Sequence, residues 1–81
     1  MIPDRRPWFV EFKIHPNKLS PKQARFLQLA DNAYCRGYCL IKKITGGKPI
    51  YTVITGKGEV LINGAQITIA ELVLKLLERK D

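Results

Sequence analysis

Along residues 8–14, Trp8-Phe9-Val10-Glu11-Phe12-Lys13-Ile14, a stretch rich in aromatic and branched residues predicts a strand. Trp8, Val10, Phe12 and Ile14 share one face, and Phe9, Glu11 and Lys13 the other. Residues 15–19 read as a loop. Ser20-Pro21-Lys22-Gln23 then opens a helix. Ser20 is the N-cap, Pro21 fits the first helical position, and Gln23 completes a capping box. At about 100° per residue, Ala24, Phe26, Leu27, Ala30, Ala33 and Tyr34 fall on one broad side. Lys22, Arg25, Asn32 and Arg36 gather opposite, with Leu29. The pattern carries the helix to about Arg36, where Gly37 supplies a C-terminal stop.

The remainder alternates short apolar runs with glycine turns. Residues 38–44 and 49–55 predict two strands joined at Gly46-Gly47-Lys48. Gly56-Lys57-Gly58 turns the chain into a further strand from Glu59, and Asn63-Gly64 is a hairpin turn signal. Thr68 and Glu71 form a second capping box, opening a helix over residues 69–79 with Leu72, Val73, Leu76 and Leu77 on one face. A strand-helix-strand opening places two parallel strands side by side through a right-handed crossover. The expectation is one α/β domain over residues 1–81.

Charge narrows the partners. Fourteen Lys and Arg face seven Asp and Glu, a net charge of +7 on 81 residues. So small a basic body favours a polyanion, and nucleic acid is the commonest. Lys18, Lys22 and Arg25, followed by Lys42 and Lys43, suit a track of phosphate contacts that positions DNA without reading its sequence; an ordinary solvated face is the alternative. No apolar run approaches the roughly 18 residues of a membrane span, and the first six residues lack a signal-like stretch. A cytoplasmic protein is expected. Cys35 and Cys39 read as reduced structural thiols, because no third or fourth ligand completes a zinc site and His15 lies well away.

Glu11 and Lys13 put a carboxylate and an amine on one strand face, about 6–7 Å apart along the chain. A carboxylate binds a hard divalent cation through oxygen. An amine beside it orients or deprotonates water, or offsets charge building on a phosphate. The backbone carbonyl of Phe12 is a further possible ligand, its side chain pointing away into the core. An alternating charged strand face is also simply a wet face. Gln23 lies mid-way along the apolar side of its helix, so its amide needs a partner: either the Glu11/Lys13 site or only the helix cap. His15 is a candidate proton shuttle or an incidental loop residue.

Pro3-Asp4, then Val10-Glu11-Phe12-Lys13, then Lys18-Leu19-Ser20-Pro21-Lys22-Gln23 opening a helix, together resemble the core of the virus-type replication–repair nucleases of the PD-(D/E)xK superfamily, over residues 3–44. The resemblance implies a small restriction-endonuclease-like mixed sheet flanked by helices, here lacking the usual N-terminal helix. It implies Asp4 and Glu11 as metal ligands, Lys13 as the catalytic lysine and Gln23 as a supporting residue. It further implies Mg²⁺ or Mn²⁺, phosphodiester hydrolysis in DNA, possible action on branched DNA, and a homodimer. Asp4 would reach Glu11 through a tight hairpin with its tip near Pro7-Trp8. The rival expectation is an inactive nuclease-derived module of a virus or mobile element that binds DNA or protein.

Overall fold

The computed structural model describes residues 6–79. Six elements follow one another: β1 (Trp8–Ile14), α1 (Pro21–Ala30), β2 (Arg36–Thr45), β3 (Lys48–Thr55), β4 (Val60–Ala65) and α2 (Ile69–Leu77). The strands form one mixed sheet in the order β1-β2-β3-β4. β1 and β2 run parallel, with Glu11 beside Cys39 and Lys13 beside Ile41. The other pairs are antiparallel. The expected α/β domain with its parallel β1-α1-β2 crossover is therefore present.

Alternation assigns the two sheet faces. Tyr38, Leu40, Tyr51, Val53 and Ile62 face α2 and form the core with Leu72 and Leu76. Trp8 joins the edge of this cluster, its ring edge-on to Tyr38 at 5.3 Å. Cys39, Ile41 and Ile54 face the other way, toward α1, where Ala24 and Leu27 close over them. The core stops short of β1 on the α2 side: Val10, Phe12 and Ile14 are 48%, 49% and 54% exposed. Phe12 does point away from Glu11, as its position in the alternation requires, but not into a core.

Several boundaries differ from expectation. α1 ends at Ala30, not near Arg36. The Asn32 side chain takes over there, accepting from the backbone N–H of Tyr34 and Cys35 and donating to the Leu29 carbonyl. Such local side-chain bonds compete with helix continuation. Tyr34 consequently leaves the apolar helix face and is exposed, as is Phe26, which meets Phe9 edge-on at 5.7 Å. Asn63-Gly64 makes no hairpin. The residues run on within β4, where Gly64 adopts φ +64° and its N–H bonds the Thr52 hydroxyl. The register against β3 slips here, so the glycine serves a bulge. α2 ends at Leu77, and its Val73 and Leu77 remain exposed while Leu72 and Leu76 are buried.

Gly37 is not a helix stop but a strand residue on which α1 rests. A Cβ at Gly37 would lie 2.6 Å from the Leu27 carbonyl oxygen, and one at Gly56 only 1.9 Å from it. The two glycines, linked by a Gly56 N–H to Gly37 carbonyl bond of 2.9 Å, make the floor that lets α1 approach the sheet. Gly56→Ala is expected to cost about 2–3 kcal/mol, since backbone, not a flexible side chain, must yield. A urea midpoint shifted by that amount, with an unchanged slope, checks it.

Candidate functional site

β1 carries Glu11 and Lys13 on the α1 face, and the N-terminal turn of α1 delivers Gln23 to them. Ser20 Oγ accepts the Gln23 N–H at 3.1 Å. The Gln23 side-chain oxygen accepts the Ser20 N–H at 3.0 Å. That uses the amide oxygen and leaves the amide nitrogen, which donates to Glu11 Oε1 at 3.0 Å. The orientation of the amide is fixed by its partners: a backbone N–H requires an oxygen, and a carboxylate requires a donor. Gln23 therefore does more than complete the cap: its one side chain ties the helix start to the strand carboxylate.

Lys13 Nζ lies 3.7 Å from the same Glu11 oxygen, and its side chain is only 20% exposed. Glu11 Oε2 has no partner among the described residues. Glu11 borders an open hollow with Ser20, Lys22, Gln23 and Phe26. Lys13 borders a second cavity of about 380 Å³ behind it, floored by Leu27, Cys39, Ile41 and Ile54 and rimmed by Asn17 and Lys18. Glu11 and Lys13 thus stand between two concavities, each with a further lysine at its edge. Sequence reasoning missed the second cavity. Its one signal was the parallel pairing of β1 and β2, which sets Cys39 beside Glu11 once the register is known.

Burial raises the Cys39 thiol, the Glu11 carboxylate raises it further, and Lys13 opposes both. These shifts keep the thiol protonated at neutral pH, the state of a buried structural cysteine. Cys35 is free as well. His15 is exposed in the loop after β1.

The basic residues divide. Lys18 and Lys22 edge the two hollows. Lys43 shares the sheet face of Glu11, because Cys39 and Ile41 do. Arg25 is exposed on α1. Lys42 is set apart: it pairs with Ile14 and Tyr51 and points to the α2 face, so no track on the Glu11 face includes it.

Asp4 lies outside the described residues. The hairpin expected to bring it to Glu11 is not formed at Pro7-Trp8: Trp8 already belongs to β1, and the Pro7 carbonyl accepts the Arg36 N–H at 2.9 Å. Among the described residues, no group of three or more His, Cys, Asp and Glu could hold a metal ion. Glu11 therefore offers one carboxylate with one open oxygen. That suits Mg²⁺, which keeps several waters and is commonly held by one or two carboxylates together with substrate phosphate, but only as a weak site before substrate arrives.

No family model, curated protein or solved structure matches the chain. No helix among the described residues is long and apolar enough to cross a membrane.

Proposed function

We propose that this chain is a metal-dependent DNA endonuclease with a restriction-endonuclease-like sheet, acting on phosphodiester bonds and, by the sequence resemblance, on branched DNA. The supporting observation is the convergence of Glu11, Lys13 and Gln23, with the Gln23 amide bonding Glu11 and the α1 cap at once. Glu11 would hold Mg²⁺ or Mn²⁺ through its open oxygen, and the ion would supply Lewis-acid polarisation of the phosphate and a more acidic water. Gln23 holds the carboxylate in place so that one oxygen stays open. Lys13, largely buried and beside that carboxylate, orients a water or offsets charge on the phosphate. Lys18, Lys22 and Lys43 hold the flanking phosphates.

A second reading has a specific observation behind it. Glu11 is the only carboxylate at this site among the described residues, which suits a DNA-binding module that has kept the fold and lost the chemistry. One experiment separates the two: cleavage of supercoiled plasmid and of forked and four-way DNA, with Mg²⁺ or Mn²⁺ against chelator, by the wild type, Glu11→Ala and Lys13→Ala. Metal-dependent cutting lost in both variants supports the enzyme. Binding without cutting, indifferent to chelator, replaces it with the module.

The hydrolytic reading requires phosphate contacts on the Glu11 face. Lys22→Ala is expected to reduce the slope of log K against log salt by about 1, whatever the DNA sequence, while Lys42→Ala leaves it unchanged. Titrations at several salt concentrations check the pair.

A further inference from the structure

The outer edge of β1 pairs with no strand among the described residues. Two bonds show which groups it presents. The Pro7 carbonyl and the His15 N–H both bond β2. In a parallel ladder both backbone groups of a residue point to the same neighbour and successive residues alternate. Odd-numbered residues therefore serve β2, and the N–H and C=O groups of Trp8, Val10, Phe12 and Ile14 point outward. Proteins normally blunt such an edge with a proline, a bulge or a charge. β1 contains no proline, pairs with β2 without a register shift, and has its two charges of opposite sign on one face.

We propose that β1 pairs antiparallel with β1 of a second copy, about a twofold axis at Phe12, joining the two sheets into one. The strand is self-complementary in this register on both faces. On the α1 face, Glu11 of each copy stands directly across from Lys13 of the other, in the close pairs where side chains approach most. On the α2 face, Phe12 meets Phe12, and Val10 meets Ile14, which covers part of the stripe that each chain leaves half exposed. The outward N–H and C=O groups of Val10, Phe12 and Ile14 complete about six hydrogen bonds across the axis. Sliding the register so that the axis falls at Glu11 would set the two carboxylates against each other, and like charges directly opposite are unfavourable. The pairing does not rest on the hydrolytic reading. It adds the second copy's Lys13 to each Glu11 site and places both sites on one face.

The test is a charge-reversal cycle read by sedimentation velocity, with circular dichroism confirming that each variant is folded. The wild type is expected to be dimeric at about 10–100 µM, a range set by the modest worth of a few cross-strand pairs. Glu11→Lys and Lys13→Glu, each alone, set like charges across the seam and weaken the dimer on the order of tenfold. The double variant Glu11→Lys/Lys13→Glu restores it, and so does mixing the two single variants. Phe12→Pro removes an outward N–H without touching the ladder to β2, so it yields a folded monomer. A monomeric wild type at these concentrations overturns the proposal, as do single variants that dimerise as well as the wild type. A dimer that forms only with Mn²⁺ and ignores the double reversal also overturns it, placing the axis at Glu11.

Discussion

Asp31→Asn is expected to destabilise the domain by about 3–5 kcal/mol, the usual cost of removing one member of a buried ion pair and stranding the other. Asp31 is 3% exposed and caps the C-terminus of α1. Its two oxygens take the Arg79 guanidinium end-on, Nη1 to Oδ1 at 2.9 Å and Nη2 to Oδ2 at 3.0 Å, and Oδ1 also accepts the Gly37 N–H at 3.2 Å. Arg79, just beyond α2, lies over the Tyr38 ring with its carbon 5.5 Å from the centroid. One carboxylate thus links the end of α1, the sheet at Gly37 and Arg79 beyond the C-cap of α2. Asparagine keeps the shape and one acceptor but removes the charge opposite a nearly buried guanidinium. For a domain of this size that loss approaches the whole folding free energy, so the variant is expected to be largely unfolded at 37 °C.

The same carboxylate predicts the acid side of the stability curve. Burial works to raise the Asp31 carboxyl, but the Arg79 hydrogen bonds and the Gly37 N–H outweigh it, and the net shift is downward from 3.8. The folded state therefore holds the proton less tightly than the unfolded chain. The resulting stability is fully present above the unfolded value and is lost as pH falls through the lowered folded value. Urea midpoints for wild type and Asp31→Asn should differ most at neutral pH and converge below about pH 4. A constant difference down to pH 2 would mean that the ion pair is not the source.

The elements were legible in the sequence wherever a local signal spoke alone. β1 announced itself by its aromatic and branched residues, and α1 by Ser20-Pro21-Lys22-Gln23, each needing no partner to be recognised. The failures were tertiary. The wheel that carried α1 to Arg36 could not weigh Asn32, whose side chain offers the backbone a better bond than another helical turn. Nor could it show that Gly37 is spent on letting the Leu27 carbonyl approach the sheet. Asn63-Gly64 carried the signal of a tight turn, and the glycine did take positive φ, but to bulge a strand and not to reverse it. Asp31 and Arg79 lie 48 residues apart, and nothing in periodicity links them.

The candidate site was legible in a different way. Alternation alone set Glu11 and Lys13 on one face, and the capping box alone put Gln23 at the third position of α1. Their meeting depended on the length of the 15–19 loop and the crossover angle, which pattern does not fix. Lys42 and Lys43 show the limit: adjacent in sequence, they point to opposite sides of a strand, and only Lys43 joins the Glu11 face.

If the hydrolytic proposal holds, kinetics should rank Glu11, Lys13 and Gln23 by what each touches. Glu11→Gln keeps the shape and can still bond Gln23 but removes the anionic oxygen for the cation. A loss on the order of 10³-fold in kcat is expected, matching the several kcal/mol that metal polarisation supplies. Lys13→Ala should cost about 10²–10³-fold, the usual toll for one electrostatic stabiliser of the transition state. Gln23→Ala touches neither substrate nor water. It should cost about 10–100-fold, chiefly as weaker metal activation, because a positioning residue behind a ligand has that range. Gln23 also closes the α1 capping box, and losing that costs about 1 kcal/mol of stability. Gln23→Glu separates the two roles. Its carboxylate still accepts the Ser20 N–H and keeps the cap, but it now repels Glu11. Melting temperature at neutral pH should therefore fall less than activity does at low Mn²⁺, and raising Mn²⁺ should recover the rate, because two carboxylates facing one cation bind it better than one. Equal losses in stability and activity, with no response to Mn²⁺, would reduce Gln23 to a helix cap and leave Glu11 without its support.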